Sequence, residues 1–196
     1  MKRYTVILLL GFIVSLVDAL ASPESEATKR AKEFADLFAS QREEPAWMDS
    51  IIPEYWHPLG NDSGMPSRNP DFLPKIDTPR GNFLFTKSEV GRVLSGKSPW
   101  ILGGKETVWC VEILFTTVAR IENQIEILKS PQIISQFFVM ALDKKDNKWK
   151  NLDSYPDRTN FYEIPYFLKS WEKILGKGSV KNIPEVRQRL LDFVKK

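Results

Sequence analysis

The spacing of hydrophobic positions along this chain passes from a helical period to alternation and back to a helical period. Between Ser22 and about Arg42, the residues Ala27, Ala31, Phe34, Ala35 and Phe38 recur at helical spacing. In front of them, Ser22-Pro23-Glu24 supplies an N-cap, a proline at the first helical position and an acidic first turn. Thr86-Lys87-Ser88-Glu89 has the form of a capping box, in which hydroxyl and carboxylate each satisfy an orphan amide. It predicts a short second helix that Gly96 closes. Ile164-Pro165 opens a third, carrying Phe167, Leu168, Trp171, Ile174 and Leu175 and ending at Gly176. Asn182-Ile183-Pro184-Glu185 opens a fourth, with Val186, Leu190 and Phe193 on its inward face.

The middle of the chain reads as sheet. From Thr107 to Leu128 a helical set (Val111, Leu114, Val118, Ile121, Ile125, Leu128) competes with an alternating one (Trp109, Val111, Ile113, Phe115, Ala119, Ile121). Composition decides for the strand. Thr107, Val108, Val111, Ile113, Thr116, Thr117 and Val118 are β-branched, which loses side-chain freedom in a helix and packs well on a pleated surface. A long strand, a turn near Glu122-Asn123 and a return follow. Ile133 to Leu142 is apolar enough for a further, central strand. Asp143 to Lys148 is a polar hairpin turn, after which Trp149 to Leu152 pairs back.

The stretch from Pro45 to Asn82 holds seven of the thirteen prolines and no sustained period. Trp47, Met48, Ile51, Ile52, Tyr55, Trp56, Phe72, Leu73 and Ile76 give it too much apolar surface to remain disordered. It reads as an ordered, proline-stiffened loop over 45–82 whose aromatics dock on the sheet or the helices.

The element order is therefore α+β: an antiparallel meander packed with N-terminal and C-terminal helices. With its N-terminal helical part, curved meander and Trp-containing terminal hairpin, the chain resembles the cystatin-like and NTF2-like cone folds, and it departs from them in its C-terminal helices. Such folds host enzymes and pure binders alike, so the resemblance implies an architecture and no activity.

The ends and totals add a compartment. Lys2 and Arg3 precede twelve uncharged apolar and small residues, Val6 to Val17, followed by Asp18 and the small-x-small triplet Ala19-Leu20-Ala21. This is the pattern of a signal peptide over 1–21, and twelve residues fall short of the about 20 that a spanning helix needs. The expected mature chain, 22–196, is long enough for one domain with a sizeable core. The chain has 28 basic and 25 acidic residues. Without Lys2, Arg3 and Asp18 these become 26 and 24, a net +2 with the charges scattered. No basic stripe invites nucleic acid or an anionic membrane. Cys110 is the one cysteine, which excludes an intramolecular disulfide. It reads as a small buried hydrophobe rather than a nucleophile.

Several motifs bear on chemistry. Gly91-Arg92-Val93-Leu94-Ser95-Gly96-Lys97-Ser98 satisfies the phosphate-loop pattern, and Phe138 to Asp143 resembles the apolar strand ending in a magnesium-binding aspartate. The loop has no preceding strand, its first glycine falls in the expected helix, and Pro99-Trp100 stands where the next helix would run. Asp143 is explained by the hairpin turn. His57, the one histidine, permits no zinc pair, and no G-x-S-x-G elbow supports a serine triad. The candidate acids are Asp49, Glu54, Glu112, Asp153, Asp157 and Glu163. Glu112 interrupts an apolar strand, where a carboxylate must pair with a cation, face solvent or be pushed up in pKa. Asn61-Asp62-Ser63 is a glycosylation sequon.

No cofactor or metal is called for. The expectation is an exported, non-enzymatic binding or interaction protein acting on another protein, as a partner, inhibitor or immunity-type module in the periplasm or outside the cell. Trp47, Tyr55, Trp56, His57 and Phe72 form the candidate surface, because stiff aromatic loops make rigid anchors. The competing expectation is an exported hydrolase using Glu54, His57 or Glu112 in a cleft assembled by folding.

Overall fold

The computed structural model describes residues 22–61, 79–97, 105–155 and 159–195. The expected signal peptide, Phe72, Asp157 and the last residue of the phosphate-loop pattern lie outside them. Five strands form one mixed sheet: β1 (Gly81–Lys97), β2 (Thr107–Ile121), β3 (Ile125–Asp143), β4 (Lys148–Tyr155) and β5 (Thr159–Glu163), in the order β4-β3-β2-β1-β5. Strands β1 to β4 are the expected antiparallel meander. The sheet is nevertheless not wholly antiparallel, because β5 joins the far side of β1 in parallel, from Gly81↔Thr159 to Phe85↔Glu163. The helices are α1 (Pro23–Gln41), the single turns α2 (Ile52–Tyr55) and α3 (Pro58–Asn61), α4 (Ile164–Leu175) and α5 (Ile183–Val194), with a π-turn at Trp47–Ile51. The fold is α+β.

The sheet curls strongly. Register shifts interrupt β1 against β2 near Phe85 and between Val90 and Val93, and β3 against β4 at Val139/Met140. As a result Phe161 of β5 reaches across to Phe115 of β2, ring centroids 3.9 Å apart and nearly parallel. The Gln136 side chain of β3 donates to the Thr159 carbonyl at 3.3 Å.

Helix α1 lies in the concave face. Ala27, Ala31, Ala35 and Ala39 stand four residues apart and are buried, so one row of methyl groups lets the helix sit close to the strands. Phe34 is the large side chain beside that row, on the same buried face. Its ring meets Phe38, Trp47, Tyr55, Trp56 and Phe138 at centroid distances of 5.4–6.3 Å. A second cluster joins Leu84, Val118, Ile121 and Tyr162 to α4 and α5 through Phe167, Leu168, Val186 and Leu190.

Two expectations are corrected. The capping-box segment is not a helix: residues 86–97 continue β1, with Lys87 opposite Thr116 and Lys97 opposite Thr107. Ser88 donates to Asp36 of α1 at 2.8 Å, and Val90 and Val93 are β-branched, so long-range pairing overrides a local cap signal. The return after Glu122-Asn123 and the central strand are one strand, β3. Leu128 to Pro131 fall between the pairs Ala119↔Ile127 and Thr117↔Gln132, a wide irregularity that holds Pro131 where no ladder amide is required. The described part of the proline-rich stretch, residues 45–61, contains the π-turn, α2 and α3, and Pro53 and Pro58 sit in the first turns of α2 and α3.

Because Phe34 links α1, the π-turn, α2 and β3, Phe34→Ala is expected to lower the unfolding free energy by about 3–5 kcal/mol, read from denaturant unfolding. A loss below about 1 kcal/mol would show that this aromatic cluster does not hold the segment.

Candidate functional site

The segment from Trp47 to Asn61 is laid along the outer edge of β4. Trp56 forms a parallel bridge with Asn151, and the His57 amide donates to the Asn151 carbonyl at 2.8 Å. Arg30 of α1 fastens the segment. Its Nη1 donates to Glu54 Oε1 at 3.0 Å, its Nη2 to the Glu54 carbonyl at 2.5 Å and its Nε to the Trp149 carbonyl at 3.2 Å. The guanidinium also lies 4.0 Å from the centre of the Tyr55 ring. Lys148 Nζ reaches both Glu54 oxygens, at 2.8 and 2.6 Å. The Lys148 bond, opposed by partial burial and helped by Arg30, holds the Glu54 carboxyl below its ordinary range.

Each candidate surface residue has a definite place. Trp47 is 8% exposed and packs on Phe34 and Phe38. Tyr55 is half-buried beneath Arg30, with its hydroxyl 3.4 Å from Glu33. Trp56 is half-buried, edge-on to Phe34. His57 is 5% exposed. These four come together, but Trp47 faces the core; the outward apolar groups beside Trp56 are Pro53, Pro58 and Leu59, the last 43% exposed.

Between this segment and the β3–β4 hairpin lies a cleft of ≈ 620 Å³. Ile52, Pro53, Trp56 and Pro58 form its apolar wall, and His57, Asp143, Lys145, Asp146 and Lys150 its polar one. Lys150 is buried in that wall, its Nζ 2.9 Å from Asp143 Oδ2 and 2.7 Å from Asp146 Oδ2. Burial alone would lower the Lys150 pKa, but the bonds to Asp146 and Asp143 outweigh it and raise it. The same lysine holds both aspartates below the usual carboxylate range. His57 Nδ1 accepts the Leu59 amide at 3.2 Å, which places the imidazole proton on Nε2, and burial lowers the ring's pKa. At neutral pH the cleft therefore carries two positive and two negative side chains beside an uncharged imidazole. Trp56 Nε1 and both side-chain polar atoms of Asn151 are buried with no hydrogen-bond partner among the described residues.

The hairpin residues Asp146 and Lys150 were not singled out by sequence reasoning, and Asp143 was explained as a turn residue. The signal was present in Trp149-Lys150-Asn151: a lysine in an otherwise packed strand needs anionic partners, by the same logic that singled out Glu112.

The remaining candidates for chemistry are engaged elsewhere. Glu112 is buried and paired bidentately with Arg92 (Nε–Oε2 2.8 Å, Nη2–Oε1 3.0 Å), and it also accepts the Arg92 backbone amide at 3.1 Å. That pairing holds its carboxyl below the ordinary range. Gly91 makes it possible, because a Cβ there would stand 2.9 Å from Glu112 Oε2 and 3.1 Å from Leu114 Cγ. Contrary to the expected helix, a strand does precede the phosphate-loop pattern, but the strand runs on through it: Gly91 is a glycine of a strand irregularity and Gly91 to Lys97 pair as strand where a phosphate loop would turn away. Cys110 is fully buried and its thiol is pushed up to about 12 by burial. The Asp153 carboxylate accepts the Tyr155 hydroxyl at 2.9 Å. Asp49 is exposed on the π-turn. Glu163 stands at the N-cap position of α4 without a side-chain bond to the helix amides, and burial and Asp36 push its pKa up. Among the described residues no group of three or more His, Cys, Asp and Glu is placed to hold a metal, and no helix is long and apolar enough to cross a membrane.

No protein-family model, curated protein or solved structure matches the chain.

Two outcomes follow from this geometry. Cys110 is expected to resist alkylation in the native protein at about pH 8 and to react fully once the chain is unfolded, as mass spectrometry would read. Gly91→Ala is expected to displace the Glu112 carboxylate and lower stability by about 1–3 kcal/mol. Made on top of Arg92→Ala it costs less than alone, because the carboxylate is already released; strict additivity in a denaturation cycle would refute the coupling.

Proposed function

We propose that the chain is an exported, non-enzymatic binding protein that seats a segment of a partner protein in the cleft between the Trp56–Leu59 lip and the β3–β4 hairpin. The observation that carries this reading is the pairing of a stiffened apolar lip with a polar wall whose charges already neutralise one another. Pro53, Trp56, Pro58 and Leu59 present apolar surface on backbone held by Arg30 and by the β4 edge. A partner loses little freedom by docking on such a surface, because it is already ordered. The cleft's two lysines and two aspartates sum to zero, which fits a mixed apolar and polar peptide surface better than a polyanion.

A hydrolase would require a free acid or base in the cleft. Glu54, Glu112 and Asp143 are each held by cations, and His57 Nδ1 is occupied by a backbone amide. Export rests on the basic start, the short apolar run and the small-x-small triplet of the first 21 residues. A lone, deeply buried thiol suits an oxidising compartment.

The test is affinity capture from the secreted or periplasmic fraction with three baits: wild type, Leu59→Asp on the lip, and Ile133→Asp as a surface control at a residue 71% exposed. Wild type and Ile133→Asp are expected to retain the same partner and Leu59→Asp to weaken it at least tenfold, about 1.4 kcal/mol. Identical partners for all three baits would remove the cleft from the proposal.

A further inference from the structure

We propose that His57 is an acid-released latch at the rim of the cleft, pinning Leu59 through the bond from the Leu59 amide to Nδ1 and releasing it when that nitrogen takes up a proton. This regulation rests on the reading of the cleft as the binding site. The geometry is local and specific. The imidazole is almost wholly buried, and its Nδ1 is the acceptor of the one hydrogen bond that ties the exposed Leu59 back to the ring. A neutral imidazole offers one acceptor nitrogen; an imidazolium offers none. Protonation at Nδ1 therefore sets two donors against each other at 3.2 Å and leaves the Leu59 amide without its partner.

The groups facing the ring come from four places. Asp143 closes β3, Asp146 and Lys145 lie in the hairpin turn, Lys150 is on β4, and Glu106 precedes β2, where it pairs with Lys144. Asp143, Asp146 and Glu106 would attract an imidazolium and Lys150 would repel it. The aspartates are held low by Lys150, and Lys150 is itself raised, so these three keep their charges while the ring titrates. Releasing Leu59 gives the imidazolium what the buried site denies it: water in place of burial, with the carboxylates still near.

Burial is the largest influence and lowers the pKa of the closed-state ring below the ordinary 6.5. The open state thus binds the proton more tightly. Closure is fully favoured above the ordinary value, weakens as pH falls through it, and reaches its lowest level once pH is below the closed-state value. At neutral pH the latch is shut; in a mildly acidic compartment it loosens.

The chain has one histidine, so its ring resonances in an NMR titration are unambiguous. His57→Asn supplies the control, because an asparagine oxygen can accept the amide two residues on and does not titrate. In wild type, His57 is expected to titrate below 6.5, and the Leu59 amide protection factor to fall on the acid side, about tenfold for each unit of separation. In His57→Asn the factor is expected to stay level between about pH 8 and about pH 5. The latch is overturned if Leu59 protection falls equally in His57→Asn, stays level in wild type while His57 titrates, or if His57 titrates at or above 6.5. Should the variant fail to fold, the two wild-type signals decide by the same criteria. None of these readouts needs a partner, so failure of the capture experiment leaves the latch standing, and failure of the latch leaves the cleft standing.

Discussion

The site depends on one arginine. Arg30 sits on the helix that fills the concave face of the sheet, and its guanidinium bonds at once to the Glu54 side chain, to the Glu54 carbonyl and to the Trp149 carbonyl while stacking on Tyr55. A guanidinium fork suits this position because it carries several donors in a fixed plane; an ammonium could bond to the same oxygens but could not lie flat on the ring at the same time. Three separate pieces of chain, α1, the short helical turns and the hairpin, are brought into register by that single group. Remove it and, among the described residues, the Glu54 carboxylate keeps Lys148, while the lip keeps its bridge to β4 and its aromatic packing on Phe34.

The polar residues of the interior follow a common pattern. Glu112 meets Arg92, Lys150 meets Asp143 and Asp146, and Glu54 meets Arg30 and Lys148, each at hydrogen-bond distance. A charge taken out of water without a partner is costly, so the fold either supplies the counter-charge or shifts the group to neutrality. His57 is the group that takes the second course: it is buried uncharged, with a backbone amide as its partner. This contrast separates the ion pairs, which serve architecture, from the imidazole, whose state follows pH.

The helices at the two ends were legible because their signals are local. A cap, a proline in the first turn and a closing glycine all act within a few residues, and α1, α4 and α5 lie within a residue or two of the expected spans. The long strand β2 and the polar hairpin were legible for a related reason, since β-branched composition and turn chemistry are properties of a short window. Thr86 to Glu89 shows the weakness of that logic. The same four residues that can cap a helix can also alternate along a strand, and the pairing of β1 with β2 is worth more than one turn of helix. Strand β5 escaped notice because five residues carry little periodicity, and its parallel partner is almost eighty positions away.

By itself the sequence determined the α+β class, the end helices, the paired hairpins and the near-balanced charge. Folding alone decided which aromatics turn inward, that Gly91 serves a carboxylate rather than a phosphate, and that Asp143, Asp146 and Lys150 share a wall with His57. The physical reason is range. Propensity, capping and turn chemistry are settled between near neighbours, whereas burial and ion pairing depend on what the curled sheet brings close from distant parts of the chain. Lys150 and His57 stand more than ninety residues apart and are joined only when the edge of β4 finds the backbone of Trp56 and His57.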